Sequence, residues 1–154
     1  MDLCALPAHE LTRRLTAGEV TAVQIVEDTL RRIDAVEGRA PSTAPYQPQA
    51  GDDATVHAYI SLQRERTLEQ ARAVDAQIAR GEPVGPLAGV PLSVKDIFCV
   101  EGTRSTAASK MLADYVAPYT ATPAGPTRTP RPRPSQTPSG PPTPGPSPTT
   151  CFEC

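Results

Sequence analysis

Gly85-Pro86-Leu87-Ala88-Gly89-Val90-Pro91-Leu92-Ser93-Val94-Lys95-Asp96-Ile97-Phe98-Cys99-Val100-Glu101-Gly102 is the stretch of this chain that carries the most local signal. Val90, Leu92 and Val94 alternate with Pro91, Ser93 and Lys95, the period of a short β-strand. Proline has no N–H to give a ladder, so Pro91 belongs at the strand start or on an edge. Phe98 and Val100 suggest a second short extended piece. Beyond it, Ser105 to Tyr115 reads as a helix, with Ala107, Ala108, Met111 and Leu112 on its small apolar face.

Upstream the period changes from two to that of helices. Ala8 to Ala17 forms the first helix candidate, with Pro7 near its start and Gly18 as its stop. Thr21 followed by Gln24 fits a capping box. Ala22, Val26, Leu30 and Ile33 then recur at helical spacing, with Val23 widening the stripe, which gives a helix from Ala22 to Val36 ended by Gly38. Residues 39–55 read as a linker, holding Pro41, Pro45 and Pro48 and then Gly51, Asp52 and Asp53. Val56 to Arg80 reads as largely helical, with Leu68, Ala71, Val74 and Ile78 on one face and Gly81 closing it.

Downstream the composition shifts. Of the 19 prolines in 154 residues, 11 fall between Ala121 and Cys154, a stretch without Leu, Ile or Val and with Phe152 as its one aromatic. Such a segment buries too little apolar area to offset the entropy of ordering it, and residues 123–154 are expected to be a disordered proline-rich tail. About 120 residues remain for a core, small for an independent one.

The formal net charge of -2 gives no nucleic-acid surface. Arg128, Arg131 and Arg133 make a small basic patch in the tail without interleaved aromatics. Cys4, Cys99, Cys151 and Cys154 have no metal-ligand spacing, and Cys151-x-x-Cys154 lacks the strand and helix that a redox motif requires. Residues 1–20 hold no leader-like apolar run, and no run is long enough to span a membrane, so the expected setting is soluble and cytoplasmic, with an organelle as the alternative. Nor is there a phosphate loop, a zinc motif or a dinucleotide fingerprint, and no cofactor is expected.

Lysine is scarce: Lys95 and Lys110 are the only two among 15 basic residues. Lys95 ends an apolar strand, where a lysine is costly unless paired or functional. Desolvation or a neighbouring cation would make it a neutral base, and the bland alternative is a snorkelling lysine or an ion pair with Asp96 or Glu101. The local hydroxyls it could serve are Ser93, Ser105, Thr106 and Ser109. His9 and His57 lack a Ser or Cys partner pattern and read as surface or structural.

At this point the wording resembles the start of the amidase signature family, and within it the A-subunit branch of the glutamyl-tRNA(Gln)/aspartyl-tRNA(Asn) amidotransferases. The resemblance runs from Leu15-Thr16-Ala17-Gly18-Glu19-Val20-Thr21 through Ala71-Arg72-Ala73-Val74-Asp75-Ala76. It continues through Gly85 to Asp96, and then Gly102-Thr103, Ser109-Lys110-Met111-Leu112 and Tyr119-Thr120-Ala121-Thr122. Its most specific element is Gly-x-Pro-x-x-x-Lys-Asp, Gly89 to Asp96.

The resemblance implies an α/β fold, here the N-terminal part of the amidase signature fold, with helices and short strands of a mixed sheet over residues 1–122. It implies amide hydrolysis, or glutamine-dependent amide transfer to a misacylated tRNA with partner subunits, by a Ser–cis-Ser–Lys triad. Lys95 corresponds to the triad lysine, the base. The family's Gly/Ser-rich segment would supply both serines, and it has no counterpart before Pro123. Ser135, Ser139 and Ser147 lie in the proline-rich tail and are poor substitutes. The change of text at Pro123 points to an out-of-frame reading, a splice or assembly error or a truncated gene product, with a genuine low-complexity tail as the alternative. The chain is therefore expected to be inactive by itself. The competing reading is a non-catalytic helical interaction fragment whose tail, through Arg131-Pro132-Arg133-Pro134, is a proline-rich ligand. A working small amidase using Ser93 or Ser109 with Lys95 is the third.

Overall fold

Thr21 begins one of the two longest helices among the described residues by closing on itself. Its hydroxyl accepts from the Gln24 N–H at 3.1 Å, and the Gln24 side-chain oxygen accepts from the Thr21 N–H at 2.9 Å. This is the reciprocal capping box expected from the sequence, and it satisfies two amides that the helix itself leaves without partners. The computed structural model describes residues 2–42, 47, 50–125 and 150–153. It contains helices α1 (Ala8–Thr16), α2 (Ala22–Glu37) and α3 (Arg64–Ala79), and strands β1 (Pro91–Val94) and β2 (Thr150–Glu153). Single 3-10 turns lie at Leu3–Ala5, Asp52–Ala54, Lys110–Leu112 and Thr122–Ala124.

Helix α2 is the axis of the core. Its Ala22, Val26 and Leu30 pack with Leu15 of α1, Ala71 and Val74 of α3, and Ala88 from the segment leading to β1. A second cluster forms on another side, where Ile25 meets Leu11 of α1 and Leu3 of the N-terminal turn. The sequence stripe omitted Ile25, which is only 1% exposed. One stripe suffices for a helix with one neighbour, whereas α2 is packed from two sides. Asp75 of α3 adds a polar tie: its carboxylate accepts from the Ala22 and Val23 amides at 2.7 and 3.2 Å, the first turn of α2, where negative charge is favoured.

The helix expected over Val56–Arg80 is shorter at its start. The Val56 amide donates to the Val36 carbonyl at 2.9 Å, and the buried Glu37 carboxylate takes the Ala58 and Tyr59 amides. Those donors are thus spent on the end of α2, and helical pairing begins only at Arg64. Within α3 the expected face holds, with Ala71 and Val74 buried and Leu68 and Ile78 packed against the core.

Strand β1 starts at Pro91, as the missing N–H requires. It pairs in parallel with β2 in the register Pro91↔Thr150, Leu92↔Cys151, Ser93↔Phe152, Val94↔Glu153. The α/β architecture expected from the resemblance is the one observed, with the helices of the first half followed by the short strand β1. The Arg128, Arg131 and Arg133 patch, the three tail serines and Arg131-Pro132-Arg133-Pro134 lie outside the described residues. Among the described residues, no helix is long and apolar enough to cross a membrane.

Two expectations downstream of β1 fail for the same reason. Phe98 and Val100 lie at turns, with Phe98 N–H donating to the Lys95 carbonyl and Thr103 N–H to the Val100 carbonyl. The helix expected over Ser105–Tyr115 is instead a loop closed by antiparallel contacts. Ser105 N–H donates to Tyr115 O at 3.2 Å, Ala117 N–H to Thr103 O and Gly102 N–H to Ala117 O, both at 2.9 Å, around an Arg104–Val116 bridge. Ala107 and Ala108 have φ of +47° and +58°, incompatible with a right-handed helix.

The acid limb of stability follows from the N-terminal region. Hydrogen bonds from Arg13 and Arg14 pull the Glu10 carboxyl from its ordinary 4.5 to about 2. Asp28 is pushed up by burial, but the Cys4 thiol, the Cys4 and Leu3 amides and Arg31 leave it net below the usual carboxylate range. A carboxyl lowered on folding contributes stability that is fully present above its unfolded value and is lost as pH falls through its folded one. Helical circular dichroism in denaturant is therefore expected to show stability declining from about pH 4.5 toward pH 2. Glu10→Gln is expected to flatten that slope, and an unchanged slope would remove Glu10 from the account.

Candidate functional site

Lys95 follows the last residue of β1, and its setting differs from the one the sequence suggested. Val94 before it and Asp96 after it are buried, at 5% and 7% exposure, while Lys95 itself is exposed. Leu92 and Ser93, which point to opposite faces of the strand, are exposed as well, and burial in β1 is concentrated at Val94. Lys95 is therefore not forced into apolar surroundings. The alternative ion pair fails too: among the described residues Lys95 makes no salt bridge with Asp96 or Glu101.

Asp96 has a different set of partners. Its carboxylate accepts from the Thr106 hydroxyl at 2.6 Å, the Thr106 amide at 2.8 Å and the Ala108 amide at 3.4 Å. Its backbone carbonyl accepts from the Ser105 hydroxyl at 2.6 Å. Ser105 and Thr106 are themselves buried. Two of the four candidate hydroxyls are thus donors to Asp96 and are not free to act as nucleophiles. Ser109 caps the Lys110–Leu112 turn, its hydroxyl accepting from the Met111 amide at 3.3 Å. Ser93 is exposed on β1, and no hydrogen bond joins it to Lys95 among the described residues.

The Asp96 cluster was not identified from the sequence as a unit. A Ser-Thr pair about ten residues after an acid, flanked by two alanines at a turn, is too common to stand out. The signal available was the adjacency of Asp96 to Lys95.

The remaining chemistry lies elsewhere. A cleft of about 620 Å³ opens between the start of α3 and the 102–104 turn, lined by Ile60, Leu62, Arg64, Gly102, Arg104 and Val116. Lys95 does not line it. Arg66 of α3 donates to the Glu101 carbonyl at 2.7 Å and ties the helices to the loop that follows the lysine. His57 lies between Thr55 and Asp52, its Nε2 at 2.6 Å from the Thr55 hydroxyl and 3.2 Å from the Asp52 carboxylate, a structural contact. His9 is exposed on α1. Asp2, Cys4 and Asp28 place ligand-type atoms within 4.8 Å of one another. The Asp28 carboxylate there already accepts from the Cys4 amide at 3.1 Å and from Arg31 at 2.6 Å, which makes it the anchor of the N-terminal turn.

Comparison with known proteins gives a consistent assignment. The Amidase family pattern matches residues 42–125. Over 122 residues the chain is 45% identical to the A subunit of glutamyl-tRNA(Gln) amidotransferase from Moorella thermoacetica, covering 79% of this chain and 22% of that protein. Its counterpart in Streptomyces coelicolor is 45% identical over 121 residues, covering 79% and 21%. The chain thus spans about a fifth of the length of the curated relatives it matches. Among solved structures, the peptide amidase of Stenotrophomonas maltophilia superposes with a TM-score of 0.62 at 26% identity, over 76% of this chain and 21% of that one.

Proposed function

The chain belongs to the amidase family, and on that premise we propose that it carries the base-bearing N-terminal part of a glutamine-hydrolysing amidase body, with Lys95 as the base. The observation that carries the reading is the placement of Lys95. It stands exposed at the end of β1, on backbone held from both sides, within the Gly89–Asp96 wording shared with the family. An exposed lysine on a fixed backbone can reach a hydroxyl brought by another part of the fold and take its proton.

Among the described hydroxyls none is hydrogen-bonded to Lys95, Ser93 included. Ser105 and Thr106 are engaged with Asp96, and Ser109 with Met111. In the proposed reaction the attacking serine comes from the part of the amidase body that this chain does not span. The amide substrate is glutamine and the ammonia acceptor is a misacylated tRNA held by partner subunits. This rests on the likeness to the amidotransferase subunits. By itself, the chain is inactive in this reading.

A segment exchange tests the proposal. Residues 1–122 are placed in the Moorella protein in place of its matching segment, and glutamine hydrolysis is followed by ammonia release in the assembled enzyme. Hydrolysis within about tenfold of the parent is expected, a difference of about 1.4 kcal/mol in the barrier. A folded, assembled chimera without glutaminase activity would count against the assignment. Ammonia release by the unfused chain, lost in Lys95→Ala, would show instead that the chain holds its own nucleophile.

A further inference from the structure

We infer that Asp96 is a positioning residue for Lys95, acting by clamping the Thr106–Ser109 turn against the end of β1. The inference rests on the reading of Lys95 as the base and adds the device that holds it. Asp96 is tied through both backbone and side chain: its carbonyl takes the Ser105 hydroxyl, and its carboxylate takes the Thr106 hydroxyl and the Thr106 and Ala108 amides. On the other side of the lysine, Val94 is buried. The Lys95 carbonyl accepts from the Phe98 amide at 2.9 Å. The peptide units around Lys95 are therefore fixed, and only the side-chain torsions remain to be ordered when a substrate arrives. Fixing a base beforehand removes an entropic cost from the reaction.

The state of the clamped turn supports a role beyond packing. Ser109 N–H donates to the Thr106 carbonyl at 2.8 Å, and the two central residues, Ala107 and Ala108, both have positive φ. Turns of this shape favour asparagine and glycine, because a Cβ is strained there. Two successive alanines hold it only where the surroundings impose it, and such strain gathers at functional sites. Asp96 is what imposes it. The carboxylate is buried and makes no ion pair among the described residues, so its solvation comes from the turn's hydroxyl and amides. A buried acid thus stands next to the lysine and bonds to a turn whose alanines are exposed.

The scarcity of lysine makes the test direct. With Lys95 and Lys110 alone in the chain, selective lysine labelling resolves the two lysine backbone amides by NMR. In the wild type, backbone order parameters at residues 95–97 are expected near those of the helices, about 0.85. In Asp96→Asn they are expected below about 0.6, while α2 amide shifts stay in place. Thr106→Val removes one of the clamp's bonds and is expected to lower the order at 95–97 the same way, by less. Unchanged order at 95–97 in Asp96→Asn with α2 intact overturns the inference, as does low order at 95–97 in the wild type. Should Asp96→Asn unfold, Thr106→Val decides: lowered order at 95–97 supports the clamp, and unchanged order overturns it. The base reading fails separately, if the chimera retains its hydrolysis in Lys95→Ala while the clamp holds the lysine as described.

Discussion

Lys95→Ala in the segment-exchanged amidotransferase is expected to lower kcat/KM for glutamine hydrolysis by about 10²–10⁴-fold, the range that a positioned general base contributes. The loss is expected in kcat rather than in KM, because a proton taken during attack is a transition-state interaction and not a contact with bound substrate. Lys95→Arg separates the base from a charge. Arginine keeps the positive charge but does not give up its proton in proteins, so it is expected to be as inactive as alanine. Recovery by arginine to near the parent rate would show that Lys95 acts by charge alone. The exposure of Lys95 in this chain bears on the same point. If Lys95 is the base proposed above, the desolvation a neutral lysine needs is not supplied by the helical core described here.

Leu92, Ile97, Phe98, Met111 and Tyr119 are between 37% and 94% exposed, and all lie on β1 or on the loops that follow it. The helical half has its apolar residues gathered into the two clusters around α2. Exposed large apolar side chains are thus concentrated on β1 and the loops that follow it, where the candidate base also stands.

Much of the helical half was legible because its signals are local. Thr21 and Gln24 bond to each other within one turn, Gly38 takes a positive φ of +72° where α2 stops, and the Ala71–Val74 face follows the helical period. What was not legible depended on distant partners. Glu37 takes the Ala58 and Tyr59 amides from 21 and 22 residues away, which unwinds the expected start of α3. Asp96 takes the Thr106 amide from ten residues away, which replaces an alanine-rich helix by a strained turn. Helix propensity alone favours a helix at Ala107-Ala108, and a single buried carboxylate outweighs it. Lys95 was found through the family wording around it. Burial, the physical reason for singling it out, belongs to its neighbours Val94 and Asp96 and not to the lysine itself.

Gly89→Ala is expected to be the most destabilising small substitution near the site, because two independent costs meet there. Gly89 has φ of +73°, and an alanine in the left-handed region costs about 1–2 kcal/mol. The added Cβ would also stand 2.7 Å from Leu15 Cδ2 and 3.0 Å from Ala22 Cβ. Both neighbours are buried, at 2% and 0% exposure, and Ala22 opens α2, so relief requires a rotamer change in the core or a shift of the helix. Overpacking of this kind costs about 1–3 kcal/mol, for a combined loss of about 2–5 kcal/mol. That is a large share of the roughly 5–15 kcal/mol that holds a typical domain together. The melting temperature is expected to fall by about 10 °C or more. Gly18→Ala provides the comparison, since Gly18 has nearly the same φ, +71°, with nothing within 4 Å of the new Cβ. It carries the backbone cost alone. Leu15→Ala removes the nearer obstruction, so the pair Leu15→Ala and Gly89→Ala is expected to destabilise by less than the sum of the two singles. Equal losses for Gly89→Ala and Gly18→Ala, or strict additivity with Leu15→Ala, would leave only backbone strain at Gly89. The expected inequality instead assigns Gly89 the work of letting the chain pass against α1 and α2 on its way into β1, two residues before Pro91 and six before Lys95.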